Sequence, residues 1–333
     1  MRIIVPMAGM GKRMRPHTLT TPKPLVPVAG KPIVQHLVED IIRMCNQKVE
    51  EIAYVVGHFG EEAEKNLVKI AESLGAKGTI HYQDTPLGTA HAILCAESAL
   101  KGPVVVAFAD TLFSADFRMD ADCDGVIWVK QIEDPRQFGV VKTGADGVIT
   151  DFVEKPQEFV SDLAIIGIYY LQDGENLRSE LQYLIDNNIK DKGEYQLTNA
   201  LENMKAKGKR LKAGKVDEWL DCGNKDATVY TNGRVLEMKY PNNHIAATAK
   251  VTNSVIIPPC YIGDGAVVDA SVVGPHVSVG AHTKLHHSVV KNSILRDHSV
   301  LKEAMIDNSL VGSYVHYKGG FRDLSMGDYT TES

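Results

Sequence analysis

Residues 2–45, RIIVPMAGMGKRMRPHTLTTPKPLVPVAGKPIVQHLVEDIIRMC, set a short apolar run, a basic loop and a helical period in immediate succession. The run RIIVP has the length and composition of a buried strand. In the last part Ile33, Val34, Leu37, Val38, Ile41 and Ile42 fall on one face of a 3.6-residue period, which predicts a helix. The loop gathers Lys12, Arg13, Arg15 and Lys23 in a chain whose formal net charge is −6. The net negative charge argues against non-specific nucleic-acid binding and makes this local basic cluster more informative than it would be in a basic protein. Gly9 and Gly11 let backbone N–H groups approach phosphate oxygens without side-chain obstruction. The P-loop pattern is missing, and the dinucleotide pattern G-x-G-x-x-G fails at Met14. Spacing alone therefore leaves phosphate binding and a solvated basic loop both open.

Outward from this stretch the alternation continues. IAYVV (52–56), TIHYQ (79–83) and GPVVVAFAD (102–110) read as strands. EEAEKNLVKIAESLG (61–75) and TAHAILCAESAL (89–100) read as helices. Strands alternating with helices predict an α/β sheet, largely parallel, with helices on both faces. Such sheets bind ligands beyond the carboxyl ends of their strands, where the loops 7–24, 83–89 and 110–113 all emerge. They are expected to share one crevice. From about residue 125 the strands shorten to GVIWVKQ, FGVVKT, GVITDFVEKP and AIIGIYYL, with Asp146-Gly147 as a hairpin signal. Helices are expected near 175–187, 195–206 and 225–239.

The end of the chain differs in kind. Ile256, Ile262, Val268, Val273, Val279, Leu285, Val290, Leu295, Leu301, Ile306 and Val311 follow one another at intervals of five or six. Neither a helix nor an ordinary strand gives this beat. A parallel β-helix does, each side of a triangular coil supplying one inward aliphatic. Residues 251–315 would make about three and a half coils of roughly eighteen residues. PNNH (241–244) marks the boundary, giving domains 1–240 and 241–333.

The 333 residues suffice for two cores, and the five scattered cysteines lack any C-x-x-C, as reduced thiols in a cytoplasmic protein would. The start carries no signal-peptide pattern and no apolar run reaches membrane-spanning length.

AGMGKRMRPHTLTTPKPLVPVAGKPIVQH resembles the signature of the sugar-1-phosphate nucleotidyltransferases, with Lys12 standing where Thr is commonest. QDTPLGTAHAI resembles their base-recognition segment, and AFADTLF the strand that ends in a metal-binding acid, with Ala109 for Gly and Thr111 for Asn. FGVV, VEKP and GEYQLTNAL resemble the sugar-phosphate pocket. EWLDCG is similar to the segment of the second acid, and Ile165 falls where many relatives carry Asn. The resemblance spans about residues 1–225, in order. It implies a Rossmann-like mixed sheet with a short C-terminal left-handed parallel β-helix. It also implies catalysis by Arg13 and Lys23, and nucleotide binding by Ala8, Gly9, Gly11, Gln83, Gly88 and Thr89. Gly139, Glu154, Lys155 and Glu194 would bind the sugar phosphate, and Asp110 and Asp221 would hold Mg²⁺. The implied substrates are a nucleoside triphosphate, with dTTP or UTP favoured, and a sugar 1-phosphate, by default glucose 1-phosphate. No nucleic acid or membrane partner is implied, and the open ends of a β-helix favour a homo-oligomer.

Singly, Asp110 also reads as a turn acid, Lys155 as a solvated turn residue, Gln83 as a strand end and Asp221 as a lysine partner. Together on strand-end loops they read as one site. Two alternatives concern the whole chain. A bifunctional enzyme would add acyl transfer with a base among His276, His282, His286, His287, His298 and His316, which otherwise read as turn residues. A non-catalytic regulatory subunit would tend to lose the loop cations or acids, all of which stand here.

Overall fold

A computed structural model of the protein describes residues 1–45, 47–115, 123–321 and 326. The tail positions 322–325 and 327–333, counted with the second domain on sequence, lie outside the described residues. The chain divides into two compact units, Met1–Val26 with Lys31–Gly223, and Pro27–Gly30 with Asn224–Ser333.

The first unit is a mixed α/β sheet, as the alternation implies. β1 (Arg2–Pro6) lies parallel to β2 (Glu51–Val56) and to β4 (Val104–Ala107), and β2 is parallel to β3 (Lys77–Tyr82). β1, β2 and β4 are mostly apolar and buried, because helices cover both faces of a parallel sheet, whereas the edge strand β3 is only partly buried. Beyond β4 the sheet turns antiparallel through β9 (Leu163–Leu171), which also pairs β6 (Gly125–Gln131) and β7 (Gly139–Thr143). β7 and β8 (Ile149–Glu154) form the hairpin signalled by Asp146-Gly147, with Gly147 at φ 77°. β10 (Leu211–Lys215) runs parallel to β6. A separate antiparallel ribbon joins β5 (Thr111–Ser114) to β11 (Glu218–Asp221).

The helices are α1 (Ile33–Met44), α2 (Glu61–Ser73), α3 (Thr89–Leu94), α4 (Gly174–Asp186) and α5 (Leu197–Ala206). α1 buries Ile33, Val34, Leu37, Val38 and Ile41, the stripe read from its period. Ile4, Val55, Ile93, Val106, Ile127 and Phe152 lie in one core. At about 1.5–3 kcal/mol for each large side chain buried, that core fixes the strand ends from which the loops depart.

The second unit is the β-helix. Successive coils pair in parallel, as in Cys260–Ile262 with Val277–Val279 and then Ser293–Leu295. All eleven aliphatics on the beat reach its interior, eight buried and Ile256, Ile306 and Val311 partly so. The coils advance by 17 residues in the first turns (Val267 to Lys284) and by 16 afterwards (Lys284 to Val300), shorter than the eighteen expected. The corners are tighter because left-handed residues turn them: Asn253, Ala270, His276, His282, His287, Asn292, His298, Glu303, Asn308 and Tyr314 all have positive φ. The coils also reach further than the beat, from His244–Ile245 to His316–Lys318. Those end rungs are exposed, so they carry no inward aliphatic to be counted.

The division into compact units falls at Gly223, ahead of the boundary expected near 240. α6 (Lys225–Lys239) belongs to the same unit as the β-helix. Its Asn232 is fully buried; Oδ1 accepts from Ser278 Oγ at 2.6 Å and from the Ala29 N–H at 2.9 Å. No disulfide joins the five cysteines, all of which are described. No helix among the described residues is long and apolar enough to cross a membrane.

Candidate active site

The basic loop is folded around Gly11 and Met14. Gly11 has φ 56°, and a Cβ on it would lie 3.0 Å from Lys23 Cβ and 3.2 Å from Thr18 Cγ2. Left-handed backbone and close approach both require glycine there. Thr18 Oγ1 donates to the Gly11 carbonyl at 2.8 Å and closes the loop. Met14, the residue that breaks the dinucleotide pattern, is fully buried and anchors the short turn Lys12–Met14. Lys12, Arg13 and Arg15 are thereby left exposed. Around Gly9 the space is open, since an added Cβ would meet nothing within 4 Å. The carbonyl of Ala8 lies against Gly57, 3.4 Å from where a Cβ would stand, so the loop after β1 abuts the end of β2.

Two carboxylates from distant parts of the chain meet beside this loop. The β5–β11 ribbon sets Thr111 opposite Asp221, and the Cys222 N–H donates to the Asp110 carbonyl at 3.0 Å. Lys23, buried, donates from Nζ to Asp110 Oδ2 at 2.9 Å. Burial and then the nearby Asp110 carboxylate push the Asp221 carboxyl above its usual range, against the opposing pull of Lys23, the Gly223 N–H and Arg13. Gly223 leaves room for this: a Cβ there would sit 2.8 Å from Asp221 Oδ2 and 3.1 Å from Arg13 Nη2. Arg13, Lys23, Asp110 and Asp221 are thus one cluster.

Arg13 also lines a cavity of about 540 Å³ together with Arg136, Gln137, Lys155, Pro156, Gln157 and Lys192. Its charged walls are all cationic. Lys192 Nζ is tied to the Lys155 carbonyl at 2.7 Å, and Lys155 holds a left-handed φ of 43°. Arg136 forks onto Asp134 with two bonds of 2.8 Å and draws that carboxyl down to about 2. Arg136 and Lys192 were not singled out in the sequence. Each stands within three residues of a quoted motif, FGVV or GEYQ, and that neighbourhood is the signal that would have found them.

Behind the cavity Gly139 packs against Glu154, Ile165 and Thr198; a Cβ would lie 3.0 Å from Glu154 Oε2. Thr198 Oγ1 donates to Glu154 Oε2 at 3.2 Å, and Lys155 Nζ lies 3.6 Å from Glu154 Oε1. Ile165 is buried there, its methyl closing the space at Gly139.

The remaining residues gather on the loop after β3. Gly88 has φ 117°, and a Cβ would strike the Tyr195 carbonyl at 2.4 Å. Thr89 Oγ1 donates to Gln196 Oε1 at 3.1 Å and accepts from the Leu197 N–H at 2.9 Å. Gln196 Nε2 donates to Glu194 Oε2 at 3.1 Å. Glu194, expected with the sugar phosphate, therefore stands beside Gly88 and Thr89, at the seam of the two loops. Gln83 opens this loop, its N–H held by the Val56 carbonyl at 2.9 Å.

Two carboxylates are hard oxygen donors, suited to Mg²⁺ when phosphate and water complete the shell. The described residues contain no group of three or more His, Cys, Asp or Glu side chains that could hold a metal unaided. The donor set therefore fits a cation that arrives with an anionic substrate.

Residues 3–237 match the family model described as Nucleotidyl transferase, and residues 228–295 the one described as GlmU-like, C-terminal hexapeptide. The chain is 31% identical over 279 residues to a Bifunctional protein GlmU of Methanococcus maripaludis, covering 80% of this chain but 62% of that protein, so it spans under two thirds of that relative's length. It is 29% identical over 339 residues to a glucose-1-phosphate thymidylyltransferase of Streptomyces antibioticus, covering 95% and 93% of the two chains. A solved structure, a UDP-glucose pyrophosphorylase from Acinetobacter baumanii, shares the fold at a TM-score of 0.56 and 21% identity, over 72% of this chain and 94% of that one.

Proposed function

The chain belongs to the nucleotidyl transferase family, and we propose that it joins a nucleoside triphosphate to a sugar 1-phosphate, forming an NDP-sugar and pyrophosphate. dTTP or UTP is the favoured nucleotide and glucose 1-phosphate the default sugar. The observation that carries this reading is the all-cationic cavity of Arg13, Arg136, Lys155 and Lys192, which shares Arg13 with the cluster of Lys23, Asp110 and Asp221. Such a cavity suits the meeting of two phosphate-bearing anions.

In this reaction a sugar-phosphate oxygen attacks the α-phosphorus and the P–O bond to the β-phosphate breaks, its electron pair leaving with pyrophosphate. The attacking oxygen is already anionic, so no general base is required. The barrier is the approach of like charges, which the protein lowers by neutralising and aligning them. Gly9 leaves room for the triphosphate beside its backbone, Gly11 gives the loop its left-handed turn, and Arg13 neutralises charge on the departing pyrophosphate. Lys23, held by Asp110, adds a cation near the reaction centre. Lys155 and Lys192, tied together through the Lys155 carbonyl, grip the incoming phosphate. Mg²⁺ held by Asp110 and Asp221 would offset phosphate charge and orient the α-phosphate.

His276, His282, His287 and His298 occupy left-handed corners of the β-helix, and His286 and His316 lie in its strands. That placement supports corner and rung roles over acyl transfer. Retention of the loop cations and both acids supports a catalytic chain over a regulatory one. We take the enzyme to act in the cytoplasm as a homo-oligomer; Tyr314, Tyr317 and Phe321 lie exposed at the last described coil.

The test follows pyrophosphate release with Mg²⁺, five nucleoside triphosphates and a panel of sugar 1-phosphates. Release that needs both substrates and stops with EDTA supports the reading. A folded, nucleotide-binding protein that releases none with any pair overturns it.

A further inference from the structure

The Gln83 side chain is not left to turn freely in its loop. Its Nε2 lies 3.2 Å from the Gly88 carbonyl oxygen and 3.1 Å from Nδ1 of His91. A primary amide nitrogen has two hydrogens, and here each has one acceptor. The Gly88 carbonyl can only accept, so it favours the nitrogen end of the amide on its side, and His91 Nδ1 supplies the second and shorter of the two contacts that hold it there. His91 Nδ1 agrees with that arrangement only when it carries a lone pair, which places the ring proton on Nε2. His91 sits on α3, two turns of chain from Gln83 in sequence yet within hydrogen-bond distance, because Gly88 folds the loop back onto the Tyr195 backbone. Burial holds the His91 imidazole below its ordinary value, which keeps it neutral at pH 7.

We propose that His91 is a positioning residue that fixes the Gln83 amide with its oxygen outward, so that the site selects nucleoside triphosphates whose base carries a ring N–H. This rests on the nucleotidyltransferase reading of the same crevice. An outward carbonyl oxygen is an acceptor. It pairs with the N3–H of uracil or thymine and equally with the N1–H of guanine. With the base held in the same pose, cytosine N3 and adenine N1 present a lone pair to the same oxygen; two acceptors face to face leave both desolvated without a bond, and the neighbouring amino group reaches the oxygen only if the base shifts. Discrimination built on a missing hydrogen bond is far steeper than discrimination on shape alone.

The experiment measures kcat/KM for UTP, dTTP, GTP, CTP and ATP at saturating glucose 1-phosphate, and the Kd of UTP and CTP by calorimetry without the sugar. The proteins are the wild type, His91→Gln, His91→Leu and His91→Lys. The wild type is expected to favour UTP over CTP by at least about 100-fold. His91→Gln supplies an acceptor oxygen and keeps that ratio. His91→Leu removes the acceptor, lets the amide turn, and lowers the ratio about tenfold or more. His91→Lys puts a donor opposite Gln83, draws its oxygen inward and moves the ratio further toward CTP. A purely structural histidine would lower all five rates together and leave the ratio where it was.

A UTP:CTP ratio in His91→Leu within twofold of the wild type, by rate and by Kd alike, overturns the proposal. So does a wild type that uses CTP as well as UTP. A ¹⁵N spectrum of the wild-type imidazole gives a reading that needs no variant to fold: Nδ1 without a proton is expected, and a protonated Nδ1 at pH 7 overturns the proposal. If no triphosphate reacts with any sugar phosphate, the nucleotidyltransferase reading fails instead, and the base preference in the Kd values still decides what the amide does.

Discussion

In the strand-end crevice Lys23 is buried against Asp110, and the Asp221 carboxylate stands beside both. In the β-helix the buried polar side chains are neutral hydroxyls: Ser271, Ser278, Thr283, Ser288, Ser293 and Ser299. Each serine on one corner serves two coils. Ser288 Oγ donates to the His286 carbonyl at 2.8 Å and accepts from the Ala304 N–H at 3.2 Å, and Ser271 Oγ does the same for the coil before, accepting from the Ser288 N–H at 3.0 Å. A neutral group with both its hydrogen-bonding needs met costs little to bury, whereas charges brought close together remain ready for a further partner. The β-helix is built to be finished without a ligand. The crevice is not.

Substitutions in the two regions should therefore fail in different currencies. Arg13→Ala is expected to lower turnover by about 10²–10³ with little change in melting temperature, since its guanidinium is exposed and touches only the site. Pyrophosphate release and a thermal melt check this together; a stable variant of near-wild-type rate would remove Arg13 from the mechanism. Leu285→Ala should do the reverse. It empties a fully buried rung and destabilises the protein by about 3 kcal/mol, while kcat per folded molecule at low temperature stays unchanged. A parallel fall in both would blur the contrast.

Within the crevice, Lys155→Ala is expected to raise KM for the sugar phosphate about tenfold and that for the nucleotide much less, the cost of about one charged hydrogen bond. The opposite ranking would move Lys155 to the triphosphate. The smallest effect belongs to Ser288→Ala, about 1–2 kcal/mol of stability from the orphaned Ala304 N–H and the His286 carbonyl. Denaturant midpoints resolve it, and a neutral result would mean that water replaces the hydroxyl.

The contrast also explains what could be read from sequence. The β-helix interior repeats one simple demand, an aliphatic every five or six residues, so Ile262, Val268 and Leu285 announce it directly. Its corners answer to backbone angle and tolerate His, Asn, Glu and Tyr alike, so no side-chain pattern marks their length. A helical period shows that α6 forms but does not say which surface its face meets; Asn232, buried against Ser278, ties it to the β-helix. Asp110 and Asp221 were identified by resemblance. What no local pattern contains is the β5–β11 ribbon that sets Thr111 opposite Asp221 across about a hundred residues of chain. Arg136 and Lys192 escaped notice because irregular loops have no period, and a cation in a loop looks the same whether it faces water or a cavity.

Thr89 and Gln196 share a hydrogen bond, and Gly88 lies flat on the Tyr195 backbone. The loop that would read the base and the loop that carries Glu194 are thus two sides of one joint. A residue placed on one loop therefore changes which residues the other can accommodate. Exchange of one loop between relatives of different base preference would then disturb sugar choice as well, and double-mutant cycles across Thr89 and Gln196 would show coupling where distant sites simply add.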